Sequence, residues 1–158
     1  MLIDAVLRSA SSILILVVIV MPLFSCSGRK PETLGIRHAR FSPCPSTPNC
    51  VSSDADDEAH RIPAFELAVP PAEGWRVARS LVADLPRTRM VTATSDYIHA
   101  ECSSAVFGFV DDLELHLRPA QNIIAVRSAA RLGFSDFRVN RKRVETLRAL
   151  LLQQRVIR

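Results

Sequence analysis

Two groups of polar residues carry whatever chemistry this chain can do. The first is rich in arginine: Arg127 and Ser128 inside an apolar run, then Arg131, Ser135, Asp136, Asn140, Arg141 and Arg143 leading into a helical stretch. A guanidinium offers a planar fork of donors, and a helix start adds free amides and the positive end of the peptide dipole, so the set suits phosphate or carboxylate. The same residues also suit a buried network, which is the plainer expectation. Ser135 or Asp136 could cap the helix, Arg127 could pair with Asp111 or Asp136, and Asn140 could fix a turn, because polar groups near a core are satisfied with or without a ligand.

The second group alternates along strand-like segments: His99 with Glu101, and Asp112 with Glu114 and His116. On neighbouring strands these could converge on a metal, yet the spacing has no compact signature, and His99-Ala100-Glu101 is not followed by the cysteine pair a zinc deaminase needs. A solvated sheet face is therefore expected. The chain has no Gly-x-Ser-x-Gly elbow, phosphate-binding Gly-rich loop or His-Glu-x-x-His helix. No catalytic residue, metal ligand or cofactor is assigned, and an enzyme is the less favoured reading.

Cysteines divide by context. Cys26 ends Leu23-Phe24-Ser25-Cys26, behind an apolar run from Ile13 to Phe24, which is the pattern of a lipoprotein signal. That run is too short to span about 30 Å of hydrocarbon, and Pro22 would break a spanning helix. Cleavage ahead of Cys26 would leave a thiol and an amine for acyl chains, and several chains give stable anchoring where one does not. Cys44 and Cys50 enclose two prolines and an asparagine, which favours a small disulfide loop in an oxidising compartment over a zinc site lacking a second ligand pair. Cys102 reads as a small buried apolar side chain.

Charge narrows the partners. The net charge is +4, and loss of residues 1–25 removes Asp4 and Arg8 together and leaves it unchanged. In an extracytoplasmic protein this argues against nucleic acid as a partner and favours anionic headgroups or cell-wall polymers.

The elements that position these residues follow from periodicity. Val77, Ala78, Leu81, Val82 and Leu85 share one face of a helix over residues 72–85 that Pro86 stops. Residues 65–69, 89–94, 97–103, 109–117 and 122–129 are strand-like; Leu113, Leu115 and Leu117 alternate with polar neighbours, and short turns imply an antiparallel meander. Val144, Leu147, Leu150 and Leu151 mark a closing helix over residues 139–156. The class is α+β: a four- to five-stranded antiparallel sheet with two helices on one face, in the order β-α-β-β-β-β-α. Residues 26–43 lack sustained periodicity and read as a flexible tether, a coil of about 17 residues holding the domain roughly 20 to 25 Å from its anchor. The layout is a signal peptide over residues 1–25, this tether, and one domain over residues 44–158.

Five ordered blocks carry a family resemblance: Cys44-Pro45-x-x-Pro48-Asn49-Cys50-Val51-Ser52-Ser53, Tyr97-Ile98-His99-Ala100-Glu101, Gly108-Phe109-Val110-Asp111-Asp112-Leu113-Glu114, Arg127-Ser128-Ala129-Ala130-Arg131-Leu132-Gly133-Phe134-Ser135-Asp136, and Asn140-Arg141-Lys142-Arg143-Val144-Glu145. Over roughly residues 40 to 152 the chain resembles the domain of unknown function 1499 family. The pattern differs at Arg138, where glycine is more usual, and at Cys102, where a larger apolar residue is more usual. The resemblance implies a bacterial secreted protein or lipoprotein and lends no reaction. The expectation is a lipid-anchored module of the cell envelope, facing the periplasm from the inner or outer membrane. It would bind a small apolar or anionic envelope molecule through Glu101, Arg127, Ser128, Ser135, Asp136, Asn140 and Arg143. The alternative is a structural or protein-contact domain, with no pocket near Arg127 and an exposed apolar patch instead.

Overall fold

The structure, a computed structural model, describes residues 27–105 and 107–158. The expected signal segment, with the apolar run and Cys26, lies outside the described residues. Two short strands, β1 (Ile36–Arg37) and β2 (Arg40–Phe41), form a hairpin. Its two-residue turn holds His38 and Ala39 at φ 50° and 60°, the left-handed conformation that matches the twist of a tight hairpin. The main sheet has six antiparallel strands: β3 (Cys50–Ser52), β4 (Phe65–Glu66), β5 (Thr88–Ala93), β6 (Tyr97–Ser103), β7 (Val110–Arg118) and β8 (Ile123–Ala130). Its order is β3-β8-β7-β6-β5, with β4 pairing β8 beyond the end of β3.

Two helices cover one face, α1 (Pro71–Asp84) and α2 (Val139–Gln153). Proline at the first turn costs α1 nothing because that amide has no helical partner, and α1 ends at Leu85 ahead of Pro86. Trp75, Ala78 and Val82 from α1 meet Val144, Leu147 and Leu151 from α2 over Ile98, Ala100, Leu113, Leu115, Ile124 and Val126. These sheet residues sit at alternate positions, so burial of one face fixes the register of every strand. The expected α+β class, the antiparallel sheet and the one-sided helix layer are all present.

Two local differences have physical causes. The strand Cys50–Ser52 is only three residues long, too short for periodicity to show, and all three are buried. The closing helix stops at Gln153, because Arg155 adopts φ 57° and turns Val156 and Ile157 back into the core. There Ala68 N–H donates to the Val156 carbonyl at 2.9 Å and the C-terminal residues run beside β4. The disulfide Cys44–Cys50 closes the expected loop.

The largest difference is in residues 27–43, which are packed onto the domain. Phe41 is buried, meets the His116 ring edge-on at 6.3 Å and lies under the Arg118 guanidinium at 6.0 Å. Its amide donates to Asp54 Oδ2 at 2.9 Å, and Arg118 grips both Asp54 oxygens at 2.9 and 2.6 Å. The segment follows neither a 3.6- nor a 2-residue period because it lies over another surface as a cover. Replacing Phe41→Ala should lower the unfolding free energy by about 3 kcal/mol, as for other buried aromatic truncations. Urea titration checks this; a freely moving tether would give no change.

Candidate functional site

Strand register decides where the polar candidates meet. Across β6, β7 and β8 the rows are Tyr97–His116–Ala125, His99–Glu114–Arg127 and Glu101–Asp112–Ala129. All alternate with the core residues, so their side chains stand on the sheet face away from the helices. That face is buried: His99 and Asp112 side chains are each 2% exposed, and Glu114 is 1%. The expectation of a solvated face is therefore corrected. Alternation shows that two faces differ in polarity, but it does not show whether the polar one is covered.

Each buried acid is met by several donors. Asp112 accepts Arg131 Nε at 2.9 Å and Nη2 at 2.7 Å, and its Oδ1 lies 2.7 Å from His99 Nε2. Glu114 accepts the Gly35 amide at 2.8 Å, the Tyr97 hydroxyl at 2.7 Å and Arg127 Nη1 at 3.0 Å. Glu101 accepts Arg131 and Arg89, each at 2.6 Å. Taking a carboxylate out of water costs several kcal/mol unless charge and hydrogen bonds replace the water, and here they do. Burial alone would raise the pKa of Asp112 and Glu101, but the bonds from Arg131, with His99 and Arg89, hold both below the ordinary carboxylate range. Burial and the Glu114 charge push the Tyr97 hydroxyl far up, so it stays a donor. Arg127 Nε is buried without a partner among the described residues.

A second network lies across the sheet, on the helix side. Asn140 and Ser128 are fully buried. The Ser128 hydroxyl donates to Asn140 Oδ1 at 2.6 Å, and Arg143 Nη1 donates to both, at 3.0 and 2.6 Å. Arg143 Nη2 reaches Asp111 Oδ2 at 2.6 Å. Asp136 Oδ2 accepts the amide and side-chain N–H of Asn140 at 2.8 Å each, satisfying the start of α2 as expected of a cap. Ser135 is exposed and only accepts the Phe137 amide, at 3.3 Å. Phe137 and Arg138 have φ of 52° and 66°, so the glycine-preferring position is left-handed and here holds arginine.

The seven candidates thus divide. Ser128, Asn140, Arg143 and Asp136 come together at the start of α2, with Ser135 beside them on the surface. Glu101 and Arg127 stand on the opposite face of the sheet. Arg127 pairs with Glu114, not with Asp111 or Asp136. Arg131 and Arg143 are paired with acids, and Arg141 donates to the Arg61 and Ala59 carbonyls, so the expected four-arginine anion site is not assembled. Adjacent Asp111 and Asp112 point to opposite faces and separate the two networks.

A cavity of about 410 Å³ opens beside the second network, between α2 and the β5–β6 edge. Leu85, Ala105, Val139 and Cys102 give it apolar walls, Asp111 with Arg143 gives it a charged patch, and Arg87 and Lys142 add two further cations to its lining. Burial raises the Asp111 pKa despite Arg143, and Asp136 and Asp112 add to that. Burial also raises the Cys102 thiol, which keeps it protonated and a poor nucleophile. The sequence signal for this cavity was weak, since Leu85 with Thr88, Cys102 and Val139 come from three separate segments. A further cavity of about 410 Å³ lies under the N-terminal segment, where Lys30, Leu34 and Gly35 face Thr92, Tyr97 and His99. Among the described residues no three His, Cys, Asp or Glu side chains gather to hold a metal ion.

Residues 40–151 match the family model described as protein of unknown function (DUF1499). The chain belongs to the DUF1499 family. No curated protein matches it. The match takes in both networks of this DUF1499 domain but begins after Gly35, so the amide that completes the Glu114 shell comes from outside the matched region.

Arg131 is the member on which the polar face most depends. Asp112 and Glu101 titrate below their unfolded values, so each adds stability that is present above the unfolded pKa and lost as pH falls through the folded one. Without Arg131, Glu101 keeps only Arg89 and Asp112 only His99, so both acids are held less far below their unfolded values. Arg131→Gln should cost about 3 to 5 kcal/mol at neutral pH, and that deficit should shrink as pH is lowered from about 6 to about 3. Urea midpoints of both proteins across that range test this; a pH-independent deficit would contradict it.

Proposed function

We propose that this DUF1499 protein is a membrane-tethered lipoprotein of the cell envelope, a binding or accessory module whose cleft between α2 and the β5–β6 edge takes a small envelope molecule with an apolar body and a polar or anionic end. The observation that carries the reading is the composition of that cleft: apolar walls from Leu85, Ala105 and Val139, with Arg143 the one guanidinium among the networked candidates that reaches it. Ligand sites commonly combine mostly apolar walls with a few placed polar groups. A cavity of about 410 Å³ falls within the usual range for small-molecule pockets. The Ser128 and Asn140 oxygens hold the guanidinium from behind, so its direction is set before a ligand arrives.

The tether is supported by Cys26 behind the Ile13–Phe24 run and by a disulfide that suits an oxidising compartment. No helix among the described residues is long and apolar enough to cross a membrane. The deepest titratable pair, His99 with Asp112, is also tied to Arg131, an arrangement that holds a fold as well as it would prepare a base. A second reading, a contact domain without a ligand, draws on the aromatic residues left exposed near the start of α2.

Native mass spectrometry of the protein purified from its own envelope should show an added small-molecule mass on the wild type. The Arg143→Met variant should lose it while keeping its fold by circular dichroism. A wild type that carries no added mass would favour the contact domain.

A further inference from the structure

Seven large apolar side chains among the described residues are exposed, and six of them gather at one end of the domain. Phe107 and Phe109 stand in the β6–β7 turn with rings 5.9 Å apart. The Arg131 amide donates to the Val110 carbonyl, which places Phe109 beside Leu132 at the end of β8. Phe134, Phe137 and Val139 follow on the approach to α2. Phe137 is 91% exposed, Phe134 73% and Phe107 64%. Single exposed apolar residues are ordinary on any surface, but aromatic residues grouped at one end mark something that covers them.

The N-terminal chain leaves the domain at the same place. A Cβ built on Gly28 would stand 2.9 Å from Arg131 Cβ and 3.0 Å from Leu132 Cγ, so the Gly28 backbone lies directly on the rim of the aromatic group. Cys26 is two residues away, and the apolar run ends at Phe24, four residues away. At no more than about 3.6 Å per residue, two and four residues of chain reach at most roughly 7 and 14 Å. Whether acyl chains on Cys26 or the apolar run itself enters the membrane, the embedded group is held next to Leu132. Arg29, Arg87, Arg138 and Lys142 are exposed around the patch and suit anionic headgroups.

We propose that this end of the domain docks on the lipid bilayer, with Phe107, Phe109, Leu132, Phe134 and Phe137 at the interface and the cleft beside Arg143 opening toward the same surface. The proposal rests on the membrane tether of the preceding reading. It replaces a mobile spacer with a fixed orientation in which the sheet stands end-on, because Gly28 allows no slack between anchor and domain. The cleft is lined by Ala105 and Val139, neighbours of Phe107 and Phe137, and so faces the lipid from which an apolar ligand would come.

Full-length protein reconstituted into vesicles of phosphatidylglycerol and brominated phosphatidylcholine tests this. Tryptophan is introduced as Phe137→Trp at the docking end, or as Gln121→Trp in the exposed turn between β7 and β8 at the opposite end, roughly 30 Å away for a nine-residue strand. The single native tryptophan, Trp75, is buried and serves as a constant background. Bromine should quench the added emission several-fold more in the Phe137→Trp protein than in the Gln121→Trp protein. Protein that floats with the vesicles but shows no quenching at position 137, as when another protein normally covers the patch, overturns docking and leaves the tether standing. Equal quenching at both positions overturns the end-on orientation. Protein that does not float with the vesicles overturns tether and docking together.

Discussion

Asp112 and Glu114 sit in the middle of a sheet face from which water has been removed, and the molecule is arranged around paying for that. Arg131 closes on Asp112 with two donors and spans to Glu101, while Arg127, Tyr97 and a backbone amide divide Glu114 between them. The last donor comes from Gly35, so the strand that carries the acid and the segment that covers it depend on one another. An acid half satisfied would cost more than an apolar residue in its place. The fold therefore has two cores: an apolar one between sheet and helices, and an ionic one between sheet and N-terminal segment.

That division explains why the polar blocks of the sequence do different work. On the ionic side every acid is engaged by an arginine held within the sheet, and the arrangement is closed. On the helix side Arg143 is steadied by Ser128 and Asn140, pairs with Asp111 and still borders open volume. The proposed chemistry there is recognition, by a guanidinium held beside apolar walls.

Most of the fold was legible because strand alternation and helical periodicity are direct consequences of one buried face. The pairing partners were less legible. Arg127 and Glu114 are thirteen residues apart, and only the β7–β8 register makes them neighbours. The helix-side set of Ser128, Asn140 and Arg143 was visible as a cluster because helix α2 follows β8 closely. Glu101 was grouped with it since sequence order carries no information about which side of a strand a residue joins. The hidden element was the cover: residues 27–43 have the glycine and proline content of a linker, and nothing in their own pattern reveals that Phe41 and Gly35 have places to fill on another surface. The one signal was across the sheet, where acids at 101, 112 and 114 face arginines at 127 and 131, a charge balance that a solvated face does not require.

The central claim is that the N-terminal segment is part of the fold and completes the shell of a buried carboxylate. Amide hydrogen exchange at Gly35 tests it most directly, because that N–H is donated to Glu114 Oε1. The account predicts that Gly35 exchanges slowly, with protection approaching that of the neighbouring β7 amides and lost together with it in denaturant. Exchange at the rate of an unstructured peptide, with β7 still protected, would contradict it.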